Sequence, residues 1–178
     1  MIEEIKKIDK SFNETTFISK VDRIFMMVLD SIMQKDIRVV DHYANDEVCN
    51  KLSELIDDYK MKNITRLFDE SNIKSTNISG FSFKDNNIYI TVDLISRYMD
   101  YFIDEDGNYV SGINDHRIET LYKLTFVKNI NAKELGIVTK CPSCGNSLNS
   151  NVSGLCSFCR NVIDMFEYEY ILYDINIK

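Results

Sequence analysis

The chain has no excess of positive charge: 21 Lys and Arg stand against 28 Asp and Glu, a formal net charge of −7 over 178 residues. That balance excludes a global basic field for nucleic acid, and equally a strong pull toward an anionic membrane surface. Long hydrophobic runs are missing too, none approaching the ~20 residues that cross a bilayer. The start, MIEEIKKIDK, lacks the basic-then-apolar order of a signal peptide, so the expected location is cytoplasmic. Internal repeats are absent, and nothing is of low complexity beyond the Asn/Ser-rich stretch 146–153. Tryptophan does not occur, proline occurs once and histidine twice.

Apolar residues make up 44% of the chain and aromatics 11%, which excludes a disordered or fibrous protein. A chain of this length buries about 70% of its unfolded surface and needs no disulfide staples. Phe17, Val21, Ile24, Phe25, Val28, Leu29 and Ile32 form one apolar stripe, which predicts a helix over 16–34. Val48, Cys49, Leu52, Leu55, Ile56 and Tyr59 form a second stripe behind a cap at Asn45–Asp46, with a short helical link over Ile37–Tyr43. Ahead of both, Ile2, Ile5, Ile8 and Phe12 predict a weaker amphipathic helix or flexible arm over 1–14.

Beyond residue 70 the period changes to two. Ile88, Ile90, Val92 and Leu94 alternate with polar residues, a strand that continues through Tyr98 to Phe102 and turns at Asp104–Asn108. Ile118 to Phe126 reads as a second strand, and Phe166, Tyr168, Tyr170 and Leu172 as a third that closes the chain. Ile78, Phe81 and Phe83 change parity across Gly80, so a bulge there would put all three on one face. Asp104–Asp106 is too short to open a calcium loop. Helices first and antiparallel strands after predict an α+β architecture, helices packed on one bent sheet.

Four of the five cysteines lie between 141 and 159, in a segment from Lys140 to Ile163 that contains no Asp or Glu. Cys141-Pro-Ser-Cys144 and Cys156-Ser-Phe-Cys159 are two Cys-x-x-Cys pairs, each a knuckle that aims two thiolates at one point. Four sulfurs suit tetrahedral Zn2+, and a closed shell of sulfur leaves no open position, so the metal would be structural. Disulfides and a redox dithiol are the alternatives; an acidic chain without a leader argues against the first, and the matched second pair against the other. The domain plan is therefore an arm at 1–14, an α+β body at 15–139 plus 164–178, and a zinc ribbon at 140–163. The only charges in the ribbon are Lys140 and Arg160, and Phe158 is its one aromatic, a poor nucleic-acid surface.

No catalytic site is expected. Ser/His/Asp order, nucleophile elbow and phosphate-cradling glycine loop are all missing. His42 beside Asp41, and His116 beside Asp115, read as surface or capping residues. Cys49 reads as a buried thiol. Tyr98, Tyr101, Tyr109, Tyr122, Tyr168, Tyr170 and Tyr173 read as cross-strand packing, with a pocket or groove lining as the alternative.

Three stretches carry a family likeness. The first is Phe17–Met33, with Lys35-Asp36-Ile37 and the Tyr43-Ala-Asn-Asp-Glu-Val48 entry into the second helix. The second is Asn87-Ile-Tyr-Ile-Thr-Val-Asp93 through Met99-Asp-Tyr-Phe102 and the Asp-Glu-Asp-Gly turn to Glu119–Val127. The third is Cys141–Gly145 through Gly154–Cys159, which resembles a zinc-ribbon insertion of some bacterial members. Together they resemble the C-terminal domain of the mitochondrial import-motor scaffold, subunit forty-four of the translocase of the inner membrane. The resemblance implies a cone-like fold of the nuclear-transport-factor-two kind around an apolar pocket. It also implies a binding role, since family members tether partner proteins at a membrane or contact lipid, and it supplies no catalytic residue. The expected function is a non-enzymatic protein-binding adaptor with a structural zinc, meeting a membrane only through its partner. The alternatives are a small ligand or an enzyme site in the cone, and an immunity-type protein that neutralises a partner.

Overall fold

In a computed structural model, the residues described are 1–131, 146, 156, 158–160 and 169–177. Helix α1 covers Ile2–Ile8, α2 Glu14–Met33 and α3 Asp46–Met61. Both longer helices begin on an asparagine: the Asn13 side chain accepts from the Thr16 N–H at 3.0 Å, and that of Asn45 from the Val48 N–H at 2.9 Å. Asn13 thus opens α2 rather than closing the helix before it. Past their ends the chain passes through left-handed backbone at Lys35 and Asn63. Two short 3-10 turns, Ile37–Val39 and Asp41–Tyr43, form the link.

The four strands, β1 Thr65–Lys84, β2 Asn87–Ile103, β3 Tyr109–Asn129 and β4 Ile171–Ile175, pair antiparallel in chain order. The first is longer than its sequence suggested, and its early half was illegible. Register shifts between Asp69 and Asn72, between Ile73 and Ser75, and between Ile78 and Gly80 insert extra residues that break its alternation. The third is the expected bulge at Gly80, and it does bring Ile78, Phe81 and Phe83 opposite Val92, Ile90 and Ile88. A two-residue turn joins β1 to β2, with Asp85 and Asn86 both at positive φ, as a primed hairpin turn requires. Gly107 supplies positive φ in the next turn, where the Asp104 carboxylate accepts from the N–H groups of Asp106 and Asn108.

The last strand is described only in its later half. Among the described residues it runs Ile171–Ile175, beyond the expected Leu172, with Tyr170 just ahead of it. Its register is fixed from both sides: Leu124–Val127 pair with one edge, and on the other the Asn45 N–H donates to the Leu172 carbonyl at 2.9 Å. Phe166 and Tyr168 lie outside the described residues, as do Cys141 and Cys144 and most of the 140–163 ribbon.

One face of the sheet carries Ile88, Ile90, Val92, Leu94, Leu124 and Phe126, all fully buried against Val21, Ile24, Phe25 and Val28 of α2 and Leu52 of α3. This is the α+β arrangement expected, helices against a four-stranded antiparallel sheet. Toward the far end of that face a half-buried ion pair joins β1 to β2. Arg66 Nε and Nη2 donate to the two Asp100 carboxylate oxygens at 2.8 and 2.7 Å. The guanidinium lies 4.8 Å from the Phe68 ring centroid and donates to the Tyr59 hydroxyl of α3 at 3.3 Å. Burial opposes its charge, but the Asp100 hydrogen bonds and the carboxylate's own charge outweigh that and raise its pKa.

Asp100→Ala leaves half-buried Arg66 without its counter-ion and is expected to cost about 1.5–3 kcal/mol. Replacing both residues, Arg66→Met with Asp100→Leu, should recover most of that loss. Urea unfolding of the three variants checks both expectations.

Candidate functional site

Three places bear on function. Among the described part of the ribbon, Cys156 is buried and Cys159 half-buried, while Phe158 between them is 66% exposed. The Arg160 N–H donates to the Cys156 carbonyl at 2.8 Å, and Arg160 itself has φ +57°. The second Cys-x-x-Cys pair therefore closes a tight turn, with left-handed backbone at the position where a knuckle usually has glycine. The partner pair lies outside the described residues. Among the described residues alone, no group of three or more potential metal ligands converges.

The second place is the interior of the cone. The Tyr98 and Tyr122 hydroxyls share a hydrogen bond of 2.6 Å, both rings buried. Burial, then the Tyr98 hydrogen bond, pushes the Tyr122 phenol up. Ser96 donates to the Asn72 carbonyl at 3.1 Å and Ser31 to that of Val28 at 2.7 Å. Around them Phe25 packs on Tyr122, and Phe68 on Tyr98. These tyrosines pack across strands, and each polar atom named already has its partner. The two histidines lie away from this interior: His42 Nε2 is 3.4 Å from Asp41 Oδ1, and the exposed His116 is bonded to Asp115. The Cys49 thiol faces the Asp41 and Ala44 carbonyls at 3.9 Å, and burial, with Asp41 and Asp46 nearby, pushes its pKa up to about 11. The sequence reading made it a buried thiol; it is half-buried, and its raised pKa makes it no activated nucleophile.

The third place was not legible in the sequence. Where α1 hands over to α2, a cleft of about 220 Å³ is built from residues remote in the chain. The Asp9 carboxylate accepts from Lys128 Nζ of β3 at 2.9 Å, from the Tyr170 hydroxyl at 2.9 Å and from the Ser11 hydroxyl at 2.6 Å. Lys20 of α2 pairs with Glu169, just ahead of β4. Burial holds the Lys20 ammonium below its ordinary value, and the Glu169 charge opposes that shift. Phe12 and Phe17 wall the cleft, each with its ring edge or face toward Tyr170. The cleft sets two internally neutralised ion pairs beside buried aromatic rings, with Ser11, Asn13 and Thr16 completing a lining of mostly polar residues.

The outer face of the sheet is more polar. Glu119 bridges Lys74 and Arg97, Lys123 pairs with Asp93, and Tyr89 meets Tyr173 edge-on at 5.1 Å. No helix among the described residues is long and apolar enough to cross a membrane.

A family model described as Tim44-like domain matches residues 1–136. The match takes in α1 to β3 and stops short of the cysteine pairs. No curated protein matches the chain.

Burial opposes ionisation of Asp9, but hydrogen bonds from Ser11 and Lys128 outweigh it and hold the carboxyl below the ordinary carboxylate range. A depressed folded pKa stabilises fully above the unfolded value of ~4 and is lost as pH falls through the folded one. Stability should therefore fall more steeply below about pH 4 in the native chain than in Asp9→Asn, as read by urea unfolding between pH 3 and 6.

Proposed function

The chain belongs to the Tim44-like domain family, and from that membership we propose a non-enzymatic, cytoplasmic scaffold that binds a segment of a partner protein. The observation that carries the reading is the filled cone: its named polar groups are hydrogen-bonded within the protein, and the cleft beside α1 presents two ion pairs, Asp9–Lys128 and Lys20–Glu169. Such surfaces recognise shape and hydrogen-bond pattern. Membership in a family of scaffold domains supports the same reading. Contact with a membrane would come through the partner, in keeping with the acidic balance of the chain.

The proposal includes a structural Zn2+ held by Cys141, Cys144, Cys156 and Cys159. The donor set fits the metal: soft sulfur ligands, two of them in a turn whose backbone already closes on itself at Arg160. Bound zinc would supply a cross-link between the two turns and no reactive position. Because β4 follows the ribbon, the cross-link would shorten the free path between β3 and β4 and so favour their pairing.

Two measurements test this. The purified chain is expected to hold one zinc, and Cys141→Ser or Cys156→Ser to lower bound zinc and melting temperature together, at about 2–4 °C per kcal/mol lost. Unchanged zinc in both variants removes the ribbon from the proposal. A tagged chain recovered separately from soluble and membrane fractions is expected to bring down one protein in stoichiometric amount, identified by mass spectrometry. Recovery of a small molecule and no protein would shift the function to ligand binding.

A further inference from the structure

Helix α1 has 7 residues, too few to remain helical in water unaided. Its own polar contacts, Met1 to Glu4 and Lys6 to Glu3, are exposed and contribute little. What holds it is a seat on the rest of the fold. Ile2, Ile5 and Ile8, at steps of three, turn toward the core, and Ile5 is 0% exposed. The chain then leaves the helix at Asp9 in extended conformation and drops that carboxylate between Lys128 and Tyr170. Three residues on, Phe12 meets Phe17 in a tilted contact at 5.5 Å and Tyr170 edge-on at 6.0 Å. The arm is thus bound as an amphipathic helix is bound in a groove, by periodic apolar anchors and one polar plug.

We propose that residues 2–12 are an exchangeable internal ligand, and that their seat is the surface at which the partner docks. The occupant it fits is a short amphipathic helix with aliphatic residues at three-residue steps, followed at once by a carboxylate and then by an aromatic ring. The seat enforces the carboxylate. Lys128 is only 12% exposed, and an apolar occupant would leave it buried without a counter-ion, which is strongly unfavourable. An acidic plug is therefore a condition of entry, not an accessory contact. Exchange conserves the contacts, so the balance between arm and partner turns on concentration. The tethered arm competes at an effective concentration of the order of millimolar, and a partner segment must bind the seat more tightly than the arm does. This deepens the protein-binding reading and rests on it for the existence of a partner.

The test uses the full chain and a labelled synthetic peptide of residues 1–13. Ile5→Asp undocks the arm and alters no seat residue. By fluorescence anisotropy the peptide should bind the Ile5→Asp chain about tenfold or more tighter than the native chain, whose seat is filled. The same peptide with Asp9→Asn should lose about tenfold or more against the Ile5→Asp chain. Failure of the native peptide to bind an Ile5→Asp chain that still unfolds cooperatively overturns the proposal, as does equal binding of the two peptides. Should Ile5→Asp fail to fold, hydrogen exchange on the native chain decides: α1 amides exchanging by local opening, ahead of those of β2, support exchange, and equal protection overturns it. Peptide exchange without any captured partner keeps the seat and removes only the protein-binding reading. A partner captured equally by native and Ile5→Asp chains places its docking elsewhere and overturns the seat.

Discussion

A single helix has to be covered by strands much longer than itself is wide, and that constraint shapes everything else. The buried face of α2 runs from Phe17 to Ile32, and β1 and β3 are each 20 residues or more. Strands of that length wrap a helix only if the sheet bends, and the three register shifts of β1 supply local bends where straight pairing would leave the core open. The same shifts roughen the outer edge of β1, which discourages a second chain from pairing there. Core filling and edge protection thus have one cause.

Two partly buried ion pairs mark the two ends of this wrap. Asp100 pairs with Phe68 near the end of β2, and Lys128 lies opposite Ile88 at its start. At each end a cation meets a carboxylate beside aromatic rings: Arg66 by Phe68, Lys128 by Tyr170. Hydrophobic burial alone is indifferent to small slips of one element over another. A buried ion pair is not, because a slip leaves both charges unpaired. One pair fixes β1 against β2, and the other fixes the arm against β3 and the approach to β4.

How far the sequence announced all this depended on whether the interaction was local. The α2 stripe, the Asn45 cap, the Gly80 bulge and the Asp104 turn are written in neighbouring residues and were legible. The two Cys-x-x-Cys spacings are local as well, but Cys141 and Cys144 lie outside the described residues. The early half of β1 was not legible, because Glu70, Ser71 and Lys74 interrupt its alternation in the register of β2. The Asp85–Asn86 turn was missed because neither residue is glycine, although both adopt its backbone region. Asp9 and Lys128 are 119 residues apart; nothing near either one points to the other, and only the folded chain joins them.

The β3–β4 pairing has a kinetic side. Strands β1 to β3 are joined by tight turns, so their pairing closes short loops and can proceed as the chain emerges. Strand β4 is different: residues 130–170 must be made before Leu172 can reach Phe126 and the Asn45 N–H. During synthesis the edge of β3 at Leu124–Val127 stands open for the time it takes to translate that stretch, several seconds at about 5–20 residues per second. The interval in which that edge waits for its partner is therefore set by the length of chain between β3 and β4.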